Sequence, residues 1–399
     1  METNLIVIRY SEIALKGKNR HWFEDTLVRN IHKQVSPVET IKIYKIHGRI
    51  IIEPVGDINN VTKILNHIPG IANYSIAYQT THDLEKIRSI SKSMLQKYLN
   101  KTDQTTIRFK VESRRAEKSF PMNSIQLSQQ IGGDLLHEFS QLTVDLHQPE
   151  INLGIEIWQK DKSIVFLEKI NGRGGLPVGT AGTVLSFLSG GIDSPVASWF
   201  MMKRGCKVIY LHFHSYPFTG EQSRQKVIDL ATHLSRYQPK TSLLIVPFTD
   251  IQKAIKKHCQ ERYRTLLYRR FMYYVANQLI KKVKALGYVT GEAVGQVASQ
   301  TLENLACTED AANLPVLRPL IGMEKAEIIN YAKTINTFDI SIQPFPDCCT
   351  VFQPRKPEVR GNLKLINNEE NFDYAELLKQ TISNIEKKEI AASPSTKHW

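Results

Sequence analysis

Hydrophobic and polar positions follow two different rhythms along this chain. In residues 1–60 a short apolar strand, Leu5-Ile6-Val7-Ile8, precedes a helical pattern from about Trp22 to Gln34. Two more strand-like runs follow, Ile41–Tyr44 and Arg49–Ile52, so this segment reads as a small α+β unit. Residues 61–170 mix the two signals, with helices expected near 84–99 and 124–139 and strands at 106–111, 153–157 and 163–167. From residue 183 the rhythm becomes a regular alternation. Strands are expected at 184–188, 207–213, 242–247 and near 288–290, and helices at 195–204, 221–236, 250–263, 266–286 and 324–335. That alternation predicts an α/β doubly wound parallel sheet, with its ligand outside the carboxyl ends of the strands. Between the halves, Gly172–Gly182 carries too many glycines for a regular element and reads as a linker over 171–182. The sheet region is expected to run from 183 to 390. Its end is polar and helical near 373–388, and a mobile tail over 391–399 completes the expectation.

The length, 399 residues, suits two or three domains at about 150 residues each. No apolar run approaches the roughly 18 residues of a membrane span, and Met1-Glu2-Thr3-Asn4 lacks the start of a secretory leader. A cytoplasmic protein with no membrane partner is therefore expected. The formal net charge of +13 favours a polyanionic partner, and with no basic amphipathic helix in view nucleic acid is preferred over a membrane surface. The cysteines Cys206, Cys259, Cys307, Cys348 and Cys349 are odd in number and show no zinc spacing, which points to a reducing compartment.

The sharpest chemical signal is Ser189-Gly190-Gly191-Ile192-Asp193-Ser194, placed after an expected strand and before an expected helix with Pro195 in its first turn. The glycines let successive N–H groups converge, the helix N-terminus adds partial positive charge, and the hydroxyls of Ser189 and Ser194 can donate. This is a phosphate cradle. It lacks the lysine of a Walker A loop, so γ-phosphate transfer is not the favoured chemistry.

The loop resembles the SGGxDS signature of PP-loop ATP pyrophosphatases, which implies cleavage of ATP between its α and β phosphates and transfer of AMP. The resemblance extends over most of the chain. Gly291-Glu292-Ala293-Val294-Gly295-Gln296-Val297-Ala298-Ser299-Gln300-Thr301, His212-Phe213-His214-Ser215, Arg318-Pro319-Leu320 and Asp347-Cys348-Cys349-Thr350 are similar to segments of the bacterial tRNA 4-thiouridine synthetases, or tRNA sulfurtransferases. Glu12–Arg20 resembles the ferredoxin-like start of that family, and Arg114–Pro121 resembles a THUMP RNA-binding domain.

The resemblance implies thiolation of a tRNA uridine at position eight, with ATP and Mg²⁺ as cofactors. It places the ATP contacts on Phe187, Leu188, Ser189, Gly190, Gly191, Asp193, Ser194, His212, Phe213, Arg269, Gly291 and Gln300. In this reading backbone groups at Phe187, Leu188 and Phe213 meet adenine edges, Gly291 lets the nucleotide approach, and Arg269 neutralises phosphate. Asp193 binds Mg²⁺ or orients Ser194. RNA contacts are expected at Lys16, Lys18, Arg20, Arg114, Arg115 and Lys118, the last three within a basic cluster that also holds Arg108 and Lys110.

Cys348 and Cys349 lie in a proline-bounded loop. The resemblance makes Cys349 the sulfur carrier and catalytic residue, with Cys348 the near second. Arg355 and Lys356 would favour the thiolate. A resolving thiol is expected from Cys348 or Cys307, since neighbouring cysteines pair only with strain. Some members carry a rhodanese domain after this point. Residues 353–399 are too few for one and hold no cysteine, so the short form is expected, with sulfur from a separate cysteine desulfurase or rhodanese and no implied role in thiamine thiazole synthesis. The alternatives are another PP-loop adenylating enzyme acting on RNA, an ammonia-using synthetase included, and a non-catalytic THUMP protein. A homodimer is compatible with the sequence but not implied by it.

Overall fold

The computed structural model describes residues 3–46, 48–158 and 160–390, and of Thr3 and Cys349 it describes the backbone alone. The expected tail 391–399 lies outside the described residues. Two compact units divide the chain: residues 1–66 with 70–174, and residues 67–69 with 175–399.

The front unit is built on a nine-stranded sheet among the described residues. In chain order its elements are β1 (Thr3–Arg9), α1 (Arg20–Val35), β2 (Ile41–Ile46), β3 (Arg49–Pro54), α2 (Ile58–Leu65), β4 (Asn73–Thr80), α3 (Leu84–Leu99), β5 (Ile107–Arg115), α4 (Ser124–Glu138), β6 (Leu142–Val144), β7 (Ile151–Trp158), β8 (Lys162–Phe166) and β9 (Ile170–Asn171). The sheet order is β2-β3-β1-β4-β8-β7-β5-β6, with β9 also on β4. The first helix seats Phe23, Leu27, Ile31 and Val35, one residue every turn, on the sheet. Helices α3 and α4 begin where their caps dictate. Asp83 accepts from the amides of Glu85 and Lys86, and Asn123 and Gln126 form a reciprocal capping box.

Strand β4 was not expected from the pattern. Tyr74, Ile76 and Tyr78 alternate, but Ala77 interrupts the period from the other face, and each face is only partly covered. It is nonetheless the hinge of the sheet, antiparallel to β1 on one side and to β8 and β9 on the other. The segments on either side of residue 60 therefore share one continuous sheet. Inside it Glu156 is buried between Arg9 (3.0 Å) and Arg49 (3.5 Å), and Trp158 donates to its second oxygen at 3.1 Å.

The rear unit contains β10 (Thr183–Phe187), α5 (Asp193–Lys203), β11 (Lys207–His214), α6 (Glu221–Leu234), β12 (Thr241–Pro247), α7 (Thr249–His258), α8 (Arg264–Val283), β13 (Tyr288–Val289), α9 (Leu302–Glu309), β14 (Val316–Leu317), α10 (Lys325–Thr334), α11 (Phe338–Ser341), α12 (Leu363–Glu369), α13 (Ala375–Ser383) and β15 (Glu386–Ile390). The sheet order is β14-β13-β10-β11-β12-β15. Alternate residues of each strand enter opposite cores. Leu185, Ile209, Leu211, Leu244 and Val246 pack with Ile251, Phe271 and Val275 of α7 and α8. Val184, Val208, Tyr210, Leu243 and Ile245 pack with Val196, Val227 and Ile328 of α5, α6 and α10. Helices thus cover both faces, as the doubly wound expectation requires.

Three expectations need correction. The sheet is parallel except at one edge, where β15 runs antiparallel to β12. The helix expected near 373–388 ends at Ser383, and its last expected residues belong to Glu386–Ile390 (Glu-Lys-Lys-Glu-Ile). This is an exposed edge strand whose charges guard its open side, so no hydrophobic period marks it. The helix expected over 250–263 ends at His258. Cys259 is extended, and a 3-10 turn at Glu261–Tyr263 leads into α8. The glycine-rich run is held at both ends: Gly172 donates to Ala72 O and Gly174 to Ile71 O, while Leu176 donates to Lys203 O and Gly179 to Gly205 O.

Candidate active site

The phosphate loop connects the carboxyl end of β10 to the N-terminus of α5, and its geometry is fixed by its serines. Ser194 Oγ accepts from the Ser189 amide at 2.9 Å and lies 3.1 Å from Ser189 Oγ. Ser189 Oγ in turn accepts from the Gly191 amide at 3.2 Å. One layer below, Ser198 donates to Ser194 O and pairs with Ser186 of β10, which locks helix to strand.

Beside this loop opens a cavity of about 250 Å³. Of the residues expected to touch ATP, Phe187, Leu188, Ser189, Gly191, Asp193, Ser194, His212, Phe213, Arg269, Gly291 and Gln300 all line it. The twelfth, Gly190, lines a smaller recess behind the loop. Residues from six parts of the rear unit therefore converge on one space, which a sequence alone could not show. Phe187 forms the apolar wall with Phe213 (5.7 Å between ring centres) and Tyr273 (5.1 Å).

Several assigned roles change. Asp193 does not orient Ser194, which is Ser189's task. The Asp193 carboxylate instead accepts from Lys325 Nζ at 2.5 Å and Gln296 Nε2 at 2.8 Å. Gly291 is needed for a different close approach: a Cβ there would sit 2.7 Å from Ser194 N and 2.8 Å from Asp193 C. Its bare backbone lets the loop after β13 press on the start of α5. Leu188 has only its carbonyl left for an adenine edge, because its N–H donates to Leu211 O; that carbonyl also accepts from His212 Nδ1 at 3.0 Å.

Electrostatics divide the cavity. At one end Glu292 is buried between Arg269 and Arg318, the latter at 2.8 Å, and accepts from Thr290 Oγ1. Burial opposes ionisation of Glu292, but the two guanidinium groups overcome it and hold the carboxyl below its usual range. Arg269 is thus anchored to face the cavity. At the other end burial pushes the His212 imidazole down, against the pull of Asp347. His212 Nε2 is buried without a hydrogen-bond partner among the described residues. Lys226, also buried, lies against the loop: a Cβ on Gly190 would be 3.5 Å from its Nζ, which donates to Gln343 O at 2.8 Å. Burial lowers its pKa, with Asp347 opposing.

Sequence reasoning missed Tyr273, Glu292 as a distinct group, Lys226, Lys325 and Asp347. Glu292 lay within a quoted motif. Lys226 and Lys325 look like ordinary helix lysines, and nothing short of the fold reveals them.

The cysteines separate by position. Cys348 is buried and lines both the cavity and the recess behind the loop, and the 3-10 turn Cys348–Thr350 is capped by Asp347. The Cys349 side chain lies outside the described residues. Cys307 is enclosed in the core, does not line the cavity, and has its thiol pKa raised by burial.

Of the residues expected to meet RNA, Lys18, Arg114 and Lys118 are exposed on the front unit. Arg20 is tied to Glu24 at 2.7 Å and to Tyr10, and Lys16 lies over the Phe23 ring. Arg115 braces its loop by donating to Phe120 O and Met122 O, both at 3.1 Å, and Arg108 pairs with Glu150. Among the described residues no cluster of three or more metal-ligating side chains occurs, and no helix is long and apolar enough to cross a membrane.

Known proteins match the chain end to end. The profile of the thiamine biosynthesis protein ThiI matches residues 179–374, that of the ThiI ferredoxin-like domain residues 5–75, and that of the THUMP domain residues 81–167. A probable tRNA sulfurtransferase of Natranaerobius thermophilus is 44% identical over 96% of this chain and 95% of its own length. One from Thermoanaerobacter pseudethanolicus is 42% identical, over 93% and 96%. Among solved structures, that of a 4-thiouridine synthetase in complex with RNA and with bound ATP superposes with a TM-score of 0.89 at 35% identity, covering 97% of this chain and all of that one. The Pyrococcus horikoshii protein PH1313 gives 0.67 at 28% identity, over 84% of this chain. With the SGGIDS cavity and three matching domain profiles on one chain, the protein belongs to the ThiI family of tRNA sulfurtransferases.

Proposed function

We propose that this ATP-dependent tRNA sulfurtransferase converts a tRNA uridine, the one at position eight, to 4-thiouridine. The observation that carries this reading is the convergence of the phosphate loop, Arg269 and the Asp347-Cys348 turn on one cavity. An amide-like C4 carbonyl oxygen is a poor leaving group, and both halves of the needed chemistry, adenylation and sulfur delivery, meet there.

In the first step uridine O4 attacks the α-phosphorus of ATP, and the bond to the β-phosphate oxygen breaks. The glycine-rich turn at Ser189–Ser194, through its serine hydroxyls, and the start of α5 receive the departing pyrophosphate. Arg269, held by Glu292, and Lys226 behind the loop add fixed positive charge. Phe187, Phe213 and Tyr273 supply an apolar wall for adenine. Magnesium fits a lone carboxylate completed by phosphate oxygens, so Asp193 would hold it, with Lys325 yielding an oxygen. When bound, the ion would neutralise charge developing on pyrophosphate.

In the second step the outer sulfur of a Cys349 persulfide attacks C4, and AMP leaves with the original oxygen. This forms a disulfide between Cys349 and the base sulfur. A second thiol then attacks Cys349 Sγ, releasing the thiolated base and leaving a protein disulfide, which an external dithiol reduces. Cys348 is the candidate that lines the cavity. A cysteine desulfurase loads the persulfide, directly or through a separate rhodanese. RNA is held by the front unit, with Lys18, Arg114 and Lys118 as its exposed cations. The enzyme works in the cytoplasm.

Nucleoside mass spectrometry tests this. Unmodified tRNA incubated with the protein, ATP, Mg²⁺, cysteine and a desulfurase should yield 4-thiouridine. Cys349→Ser should yield none while keeping tRNA-dependent pyrophosphate release. Full thiolation by that variant would remove Cys349 as carrier, and no pyrophosphate release by wild type would remove the adenylation step.

A further inference from the structure

The loop Ser215–Gly220, which leaves the carboxyl end of β11, shows two large aromatic side chains to solvent. Tyr216 is 68% exposed and Phe218 47%. Neither is needed to fill a core, and the adenine wall already has three rings of its own. Both are nevertheless held in place. Phe218 packs edge-on against Phe352 at 4.8 Å, and Tyr216 stacks on His214 at 6.5 Å. Phe352 adopts a left-handed backbone (φ 55°), uncommon for a bulky residue and kept only where the surroundings over-determine it.

The loop is also tied to the cysteine turn. Gln252, fully buried, accepts from Ser215 Oγ at 2.6 Å and donates to Cys348 O at 2.9 Å. Thr249 donates to Tyr216 O at 2.7 Å, and Ser215 and Thr219 bond each other twice. A single buried side chain therefore fixes the distance between the exposed rings and the Cys348–Thr350 turn. His214 and Thr219 line the same recess as Asp347 and Cys348. The surroundings are basic: the Lys256 ammonium lies 4.4 Å from the Phe352 ring centre, Lys257 is exposed beside it, and Arg355 and Lys356 are exposed just beyond.

We propose that Tyr216 and Phe218 form a stacking platform for the target uridine once it has left the RNA stack, with Lys256 and its neighbours meeting the flanking phosphates. The inference rests on the reading that a tRNA uridine is the substrate. Its O4 must reach into a cavity walled by the phosphate loop, α8 and the Asp347-Cys348 turn, which a base within a stack cannot do, so the nucleotide has to be extruded and held. Exposed rings flanked by cations are what holds an unstacked nucleotide, because every base has a face to stack. The positive flank favours RNA over an apolar protein surface as the occupant.

Tyr216→Ala and Phe218→Ala in the full chain test this, read by tRNA-dependent pyrophosphate release, which precedes any sulfur step. The turnover number should fall about 10-fold to 100-fold, with the KM for tRNA, ATP affinity and the unfolding midpoint little changed. Tyr216→Phe and Phe218→Tyr should recover most of the rate, since stacking needs the ring and not the hydroxyl. An unchanged rate in Tyr216→Ala overturns the proposal. So does a loss confined to thiolation fed by a desulfurase, which would make the rings a docking surface for the sulfur donor. If wild type releases no pyrophosphate with tRNA, the substrate reading itself has failed.

Discussion

Each unit of this protein buries one glutamate between two arginines, yet the two clusters serve different ends. In the front unit Glu156 joins Arg9 and Arg49 inside the sheet, and Trp158 and Ser75 complete the bonding. In the rear unit Glu292 joins Arg269 and Arg318 at the wall of the nucleotide cavity. In both, burial works against the ionised carboxylate and the guanidinium groups outweigh it, so both carboxyls titrate below the usual range. The residue chemistry is the same, and Arg49 of the first cluster is as exposed as Arg269 of the second, but only Arg269 lines the nucleotide cavity. Function here follows from what the cluster faces, not from what it contains.

The comparison can be broken most directly at its centre. Glu156→Gln leaves buried Arg9 and half-buried Arg49 without their anion, at a cost of about 3–5 kcal/mol of stability, and Glu292→Gln costs less, because Arg269 and Arg318 are half-buried and Arg318 keeps Glu309. Both should show lower unfolding midpoints, but only Glu292→Gln should weaken ATP binding measured by calorimetry. Equal loss of ATP affinity in both would show that the front cluster is not merely structural.

A second difference concerns pH. His233 of α6 donates to Ile335 O at 2.7 Å, and burial first, then Arg236, lowers its pKa to about 4. The fold holds it neutral while the unfolded chain takes a proton below about 6.5. Its stabilisation is complete above that value and falls as pH drops toward 4, by about 3 kcal/mol. His233→Gln should flatten the pH dependence of denaturant unfolding in this window, and an unaltered slope would refute the assignment.

A smaller effect is expected at Gly291. In Gly291→Ala the new Cβ meets Ser194 N, and relieving that overlap costs about 1–3 kcal/mol and shifts the phosphate loop. ATP should bind about tenfold more weakly or worse, and wild-type affinity would show that the loop tolerates the shift. The smallest effect belongs to the front surface. Lys118→Ala should reduce the salt dependence of tRNA binding by about one phosphate contact without changing ATP affinity. An unchanged slope would place Lys118 off the RNA path.

Much of the rear unit was legible because its local signals agree. Strands β10, β11 and β12 are apolar runs, α6 between the last two carries a periodic face, and the six residues of the phosphate loop need only neighbours in sequence. The front unit was less legible at β4, where half-covered faces blur the period. At β15 an edge strand made of charges imitates a helix end. Lys226 and Lys325 were invisible for another reason: burial and partnership are tertiary properties, and an isolated lysine on a helix carries no mark of either.

The sequence by itself determined the cradle, its ATP chemistry and the cysteine pair, because these depend on short stretches whose backbone and side-chain options are few. The fold decided how they act together. It closed the cavity with Arg269 and Glu292 from distant elements, gave Asp193 a lysine and a glutamine as partners, and turned Gly291 into a contact between two loops. Distances between remote segments arise only from packing, so no reading of neighbouring residues could supply them.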